Sequence, residues 1–109
     1  MSTEPPVRYL YRLRPGAGPE YDRRHREVWP ELTALLRAEG VHDYEIFRHE
    51  EIVVCSLRTR EPFGETMARL AAHDVQRAWT EALGDLFEAV ADEEGRPLYL
   101  TRVFRLEDE

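Results

Sequence analysis

The spacing of apolar residues alternates between two periods along this chain, and the order of these periods restricts the fold more than any other feature. Residues 7–14, VRYLYRLR, alternate strictly, which is the two-residue period of a β-strand. Residues 19–39 follow a helical period, and Gly40 is a natural C-terminal cap. Pro30 lies inside this helical segment and removes a backbone donor, so we expect the helix to bend after its first two turns.

The second half of the chain repeats the change from strand to helix. Two β-rich segments, HDYEIFRH and EIVVCSLRT, follow one another almost directly, which predicts an antiparallel hairpin turning near residues 49–51. Helical periodicity returns after Pro62 and continues to about residues 92–97. We expect two helices in this region, with His73 or Asp74 as the N-terminal cap of the second. Residues 98–106, LYLTRVFRL, alternate again and predict a fourth strand.

The predicted order of elements is β, α, β, β, α, β in one domain over residues 1–109, a length that suits a single hydrophobic core. This order matches an α+β, ferredoxin-like sandwich whose antiparallel sheet carries helices on one face. A sheet covered on one side leaves apolar residues such as Tyr9, Tyr11 and Val103 in need of cover. We therefore expect a homodimer joined through the sheets or their edges.

Charge and cysteine content exclude several classes of partner. The formal net charge of −7, with acidic residues gathered near the C-terminus, argues against nucleic acid. No apolar span approaches the ~18 residues of a membrane helix, and no secretory pattern opens the chain, so we expect a cytoplasmic protein without a membrane partner. The single cysteine, Cys55, lies in an apolar run and is typical of a small buried hydrophobe. Metal-ligand and nucleotide-binding motifs are absent from the sequence, so no cofactor is expected.

A histidine lies on the apolar stripe of the first helix. At roughly 100° per residue, Tyr21, His25 and Trp29 fall on one side, at the start of a leucine-lined stripe. A lone histidine there is often a satisfied core residue, and that alternative stays open. Three polar-tipped aromatic groups together instead indicate the mouth of a pocket. Trp79 is likewise either a core aromatic or a surface on which a sugar stacks.

The run Tyr21-x-x-x-His25-x-x-x-Trp29-Pro30-Glu31-Leu32 resembles the signature of the L-rhamnose mutarotase family. Three further segments are similar to that family: GVHDYEIF at 40–47, DVQRAW at 74–79 and LTRVFRL at 100–106. The resemblance covers nearly the whole chain. It implies a dimeric α/β-barrel fold and a cofactor-free sugar 1-epimerase activity on a small-molecule sugar.

The same resemblance implies catalytic roles for Tyr21 and His25 and places Trp79 in the sugar pocket. The other substrate-binding candidates are Trp29, Tyr44 and Thr80. Arg26-Glu27 stands where the family usually has Asn-Pro, and Thr80 follows Trp79 where the family usually has a second tryptophan. These departures concern the choice of substrate.

The first functional hypothesis is a mutarotase that interconverts α and β anomers of L-rhamnose or a related deoxy sugar. An imidazole, whose ordinary pKa is about 6.5, can give or accept a proton at neutral pH, whereas a phenol is the poorer base. One alternative is a cyclase or isomerase of the same fold that acts on a hydrophobic or polyketide-like substrate. Another is a non-catalytic dimeric binding module, for which an unreactive His25 suffices.

Overall fold

The structure is a computed structural model that describes residues 6–108. The central strand of its sheet is β1 (Val7–Leu13). On one side β1 pairs antiparallel with β3 (Ile52–Thr59), which pairs in turn with β2 (Val41–His49). On its other side β1 pairs with two short strands, β4 (Phe87–Ala89) and β5 (Leu98–Tyr99). The sheet order is β2-β3-β1-β4, with β5 also beside β1.

Four helices pack on this antiparallel sheet, which confirms the predicted α+β architecture. They are α1 (Gly18–Arg26), α2 (Pro30–Ala38), α3 (Phe63–Ala71) and α4 (Asp74–Leu83). Alternate residues of β3 form the base of the core: Val53 and Cys55 are fully buried and Leu57 is nearly so. The predicted hairpin turns at Glu50 and Glu51, and Gly40 ends α2 with the positive φ of 92° that glycine tolerates best.

The face of the sheet opposite the core carries a row of apolar side chains. Phe47, Val54, Leu10 and Leu98 are register partners across β2, β3, β1 and β5, so their side chains share one face. Val54 lies between the core residues Val53 and Cys55, which places this row away from the helices. Phe47 is 56% exposed, so the row is open to solvent in the single chain.

The tyrosines of β1 lie on the other face from the one we predicted. Tyr9 is the register partner of Cys55 and Tyr11 that of Val53, so both rings face the helices. Tyr9 is buried and Tyr11 half-buried. The prediction that these two side chains need cover from a second chain is therefore wrong. Val103, the third residue named in that prediction, is 92% exposed.

The predicted single helix over residues 19–39 is two helices. α1 ends at Arg26, and α2 begins at Pro30 after a gap of three residues. Trp29 adopts φ −66° and ψ 130°, because the ring of a following proline clashes with a helical conformation of the residue before it. The bend expected at Pro30 is thus a complete break, and Trp29 does not share a helix with His25.

The chain after α4 also differs from the prediction. In place of a helix to residues 92–97, α4 ends at Leu83 and is followed by a 3₁₀ turn, Gly84–Leu86, and by β4. The ring of Phe87 packs 5.1 Å from that of Tyr11, a tertiary contact that outweighs helix propensity here. Of the predicted strand over 98–106, only Leu98–Tyr99 forms a strand. The Leu100 N–H still donates to the Arg8 carbonyl oxygen at 2.9 Å, and residues 101–105 have no regular secondary structure.

Candidate functional site

A cavity of about 830 Å³ lies between the sheet and helices α1, α3 and α4. Its floor includes three tyrosines of the sheet: Tyr9, Tyr11 and Tyr44. Its walls include Tyr21 and His25 of α1 and Trp79 and Thr80 of α4. The cavity is within the size range typical of small-molecule sites, and most of its lining is aromatic or aliphatic with a few polar groups. Five of the six residues predicted from the sequence therefore line one cavity.

The imidazole of His25 is held by its own helix. Its Nδ1 lies 3.0 Å from the backbone carbonyl oxygen of Tyr21. A carbonyl oxygen only accepts hydrogen bonds, so Nδ1 carries the proton of the neutral ring and Nε2 is left without one. His25 thus has a fixed tautomer in which Nε2 can accept a proton from a ligand.

Two aromatic rings flank His25. The ring of Tyr21 lies beneath it, with centroids 4.2 Å apart and 31° between the planes. The indole of Trp79 meets it edge-on, at 5.4 Å and 83°. Tyr21 is 3% exposed, and burial raises the pKa of its phenol well above the ordinary value. The phenol is therefore neutral at physiological pH and is not a base.

Trp29 lies behind the cavity wall. Its indole packs edge-on against that of Trp79, with centroids 5.1 Å apart and 79° between the planes. Trp29 is not among the residues that line the 830 Å³ cavity. Trp29 therefore packs against Trp79, and of the two indoles only that of Trp79 lines this cavity.

A β-bulge brings Tyr44 to the cavity. Between His42 and Glu45 the register of β2 slips, so that two residues lie opposite the single residue Leu57 of β3. Asp43 takes up the irregularity with φ 51°, a conformation that Asp and Asn tolerate better than most residues. The sequence alone did not predict this bulge, although an Asp inside a β-rich run is a signal for one.

Thr80 is part of a polar pair on α4. Its hydroxyl oxygen accepts a hydrogen bond from Gln76 Nε2 at 3.3 Å, and both residues line the cavity beside Trp79. Sequence analysis missed Gln76, which the i, i+4 spacing to Thr80 would have placed on the same helical face. It also missed Tyr9 and Tyr11 as cavity residues.

Arg26 lines a second, smaller cavity of about 420 Å³ that shares Tyr21 and His25 with the larger one. Arg48 and Asp22 lie in the same wall, where Arg48 Nε donates to Asp22 Oδ1 at 2.7 Å. This arginine holds the pKa of the Asp22 carboxyl below its usual range. A cationic rim therefore adjoins the His25 end of the site.

Two classes of site have no counterpart in the described part of the chain. Residues 6–108 contain no group of three or more His, Cys, Asp or Glu side chains that could hold a metal ion. Within the same range, none of the helices has the length and apolar content to cross a membrane.

Comparisons with known proteins agree with this architecture. A family model described as L-rhamnose mutarotase matches residues 7–106. The L-rhamnose mutarotase of Burkholderia ambifaria is 40% identical over 103 residues, which are 93% of this chain and 97% of that protein. The L-rhamnose mutarotase of Verminephrobacter eiseniae is 42% identical over 98 residues, 90% of either chain.

A solved structure supports the same fold. The crystal structure of an L-rhamnose mutarotase from Formosa agariphila superposes with a TM-score of 0.73, covering 94% of this chain and 99% of that one. At 22% sequence identity this likeness concerns the fold alone. The family match over residues 7–106 and the two relatives together show that the chain belongs to the L-rhamnose mutarotase family.

Proposed function

We propose that this protein is a cofactor-free mutarotase that interconverts the α and β anomers of L-rhamnose or a related deoxy sugar. The observation that carries the proposal is the environment of His25, whose Nδ1 is bound to the Tyr21 carbonyl and whose ring lines a cavity beside Trp79. The names of the relatives supply the sugar. Family membership alone leaves the catalytic residues unassigned, and the geometry around His25 supports this residue as the proton carrier.

The chemistry requires one group to remove the proton of the anomeric hydroxyl and a second donor, water in this proposal, to protonate the ring oxygen as its bond to C1 breaks. The ring then opens, the C1–C2 bond rotates, and the same steps run in reverse on closure. His25 Nε2 accepts the first proton and returns it at closure, which an imidazole does at neutral pH. The Tyr21 phenol stays protonated because burial raises its pKa, so its role is to support the imidazole and to donate hydrogen bonds.

The aromatic wall suits a deoxy sugar. The indole of Trp79 offers an apolar face to the C–H face of a pyranose and to a 6-methyl group. Thr80, together with Gln76, makes the adjoining surface polar. This part of the wall is where the chain departs from the paired tryptophans usual in the family, and we assign the choice of sugar to it. Trp29 contributes by holding Trp79 in place.

The decisive experiment is saturation-transfer NMR on freshly dissolved aldoses, because it measures exchange between anomers directly. We expect the protein to accelerate exchange of L-rhamnose, and to a smaller degree of L-fucose and L-lyxose, without added metal or nucleotide. Acceleration for none of these sugars would contradict the proposal. If small apolar ligands then bound near His25, the cyclase or isomerase alternative would replace it, and a protein without any turnover would be a binding module.

We further propose that the protein acts as a homodimer. The apolar row on the outer face of the sheet and the exposed side chains near the C-terminus, Val103 at 92% and Phe104 at 70%, support this assembly. An open apolar face of this kind is typical of a surface that a second copy covers. The buried free thiol of Cys55 suits the cytoplasm, where we place the enzyme.

A further inference from the structure

Arg24 connects the helix that carries His25 to the end of helix α4. Its Nη1 donates to the backbone carbonyl oxygen of Ala82 at 2.5 Å and to Asp85 Oδ1 at 3.1 Å. Its Nε donates to Glu20 Oε2 at 2.7 Å, within its own helix. One guanidinium therefore bonds to α1, to the last turn of α4 and to the 3₁₀ turn that follows it.

The end of α4 gains both a hydrogen bond and a charge from Arg24. The last carbonyl oxygens of a helix have no N–H partner in regular helical geometry, and a positive charge beside them is favourable. The last turn of α4 contains no basic residue, so α1 supplies this charge. The Arg24 side chain is 24% exposed and that of Asp85 is 68% exposed. An ion pair so open to water contributes little to stability, so the bond to the Ala82 carbonyl matters more than the charge pair.

The same two helices meet again at the cavity. His25, the residue after Arg24, contacts the indole of Trp79, with ring centroids 5.4 Å apart. Trp79 lies on α4 about one turn before Ala82. Arg24 itself is not among the residues that line the 830 Å³ cavity. The guanidinium and the two rings are therefore separate links between α1 and α4, one outside the site and one within it.

We propose that Arg24 is a positioning residue that holds α4 against α1 and thereby fixes the Trp79 wall relative to His25. The sugar must contact the indole and place its anomeric hydroxyl at the imidazole at the same time, so the two groups need a fixed separation. A misplacement of about 1 Å can cost roughly 10²-fold in rate. Arg24 touches neither the sugar nor the transferred proton and acts through these two side chains. The inference rests on the proposed function for its substrate, but it concerns the relative position of two helices.

The test removes the donors of Arg24 and keeps its apolar stem. Arg24→Met is also a good helix former, but it loses every hydrogen bond to α4. Anomer exchange of L-rhamnose is measured against sugar concentration by saturation-transfer NMR, at a temperature where the variant is folded. We expect kcat to fall roughly 10-fold and KM to rise, because the proton transfer and the contact with Trp79 both lose their alignment. Arg24→Lys keeps one charged donor, so its losses should be smaller.

Arg23→Met is the matched control. Arg23 lies on the same helix and shares Glu20 as a partner, but its hydrogen bonds within residues 6–108 go to Glu20 and Glu27 and not to α4. Its replacement should leave kcat and KM unchanged. Asp85→Asn keeps an acceptor for Arg24 and should have a much smaller effect than Arg24→Met. If Arg24→Met does not fold, the comparison of Arg24→Lys with Arg23→Lys decides the question.

A second measurement is independent of turnover. The nuclear Overhauser effect between the ring protons of His25 and Trp79 reports their contact directly. We expect it to weaken in Arg24→Met and to stay unchanged in Arg23→Met. Unchanged kcat and KM in Arg24→Met, an unchanged Overhauser effect there, or an equal loss of kcat in Arg23→Met would each overturn the inference. If the wild type exchanges no sugar, the proposed function fails, and the Overhauser effect still decides whether Arg24 positions the two rings.

Discussion

The imidazole of His25 lies over the phenol ring of Tyr21, with ring centroids 4.2 Å apart. The same two residues are joined again through the backbone, where His25 Nδ1 donates to the Tyr21 carbonyl oxygen at 3.0 Å. Both contacts arise from the i, i+4 spacing on α1. One helical turn therefore sets the tautomer of the imidazole and supports one side of its ring, while Trp79 of α4 packs edge-on against it.

Replacing His25 separates a catalytic from a structural role. We expect His25→Ala to lower enzyme-accelerated exchange of L-rhamnose anomers by about 10²- to 10⁴-fold, the usual worth of general acid–base catalysis. The melting temperature should change little, because the ring is only half-buried. His49→Ala, at the exposed end of β2, is the matched control and should leave exchange unchanged. Unchanged exchange with a lowered melting temperature in His25→Ala would assign His25 to the core.

Tyr21→Phe should affect exchange much less than His25→Ala. The variant keeps both the ring beneath the imidazole and the carbonyl that binds Nδ1, and it loses only the hydroxyl. We expect a decrease of roughly 3- to 10-fold, the worth of a hydrogen bond. Tyr21→Ala should instead destabilise the fold by about 3 to 5 kcal/mol, because a buried aromatic ring is removed. A loss in Tyr21→Phe as large as in His25→Ala would show that the phenol itself transfers a proton.

The sequence predicted the order of elements as far as α4 and five of the residues that line the cavity, but it failed where a single residue changes the direction of the chain. The strand alternation and the i, i+4 spacing of Tyr21 and His25 are local patterns, and the structure keeps both. The break before Pro30 detaches Trp29 from that spacing, and the bulge at Asp43 changes which residues of β2 face the helices. The short β4 exists because Phe87 packs on Tyr11, a contact between residues far apart in sequence.

The ion pair between Asp22 and Arg48 should make stability depend on acid pH. Arg48 lowers the pKa of Asp22 in the folded state below the unfolded value of about 3.9. The stabilisation is therefore fully present above pH ~4 and is lost as the pH falls through the folded pKa. In urea unfolding, Asp22→Asn should be less stable than the wild type at pH 7, and the difference should shrink towards pH 2.

Two further variants check this prediction. Gly18→Ala places a methyl group 2.4 Å from Arg48 Nη1, so the arginine must move and the acid dependence should fall as in Asp22→Asn. Asp74→Asn, which alters a carboxyl that is 96% exposed, serves as the control. An equal difference between Asp22→Asn and the wild type at pH 7 and pH 2 would show that the pair contributes nothing through charge.

If two copies join through the outer faces of their sheets, a charge placed on that face should weaken the homodimer. Light scattering at micromolar concentration should give twice the chain mass of 12.8 kDa. Phe47→Arg puts a charge into the exposed apolar row and should shift the mass towards that of a single chain. Ala34→Arg, on an exposed position of α2, should leave the dimer intact. A monomer mass for the wild type would refute the dimer, and an unaffected Phe47→Arg would exclude this face as its interface.

The last prediction concerns the choice of sugar, where this chain departs from its family. Thr80 lines the cavity next to Trp79 and is exposed, so there is room for a larger side chain. Thr80→Trp would restore the paired tryptophans usual in the family, add an aromatic wall and remove the hydroxyl that pairs with Gln76. We expect the natural protein to be less active on L-rhamnose than family members with paired tryptophans, and Thr80→Trp to recover part of that activity.

The control for Thr80→Trp is Ala78→Trp, because Ala78 is the other neighbour of Trp79, is exposed and does not line the cavity. Exchange is compared for both variants on L-rhamnose, L-fucose, L-lyxose and a uronic acid, the last because Arg26 adjoins His25 in the smaller cavity. A recovery on L-rhamnose in Thr80→Trp alone supports a role of the wall in specificity. If the natural protein already prefers L-rhamnose strongly and Thr80→Trp changes nothing, Thr80 has no part in the choice of sugar.

The uronic acid tests the cationic rim beside His25. If it is the best substrate and Arg26→Ala abolishes that preference, the cationic rim determines specificity in place of the aromatic wall. The reason is that only a carboxylate substituent gains from the guanidinium charge.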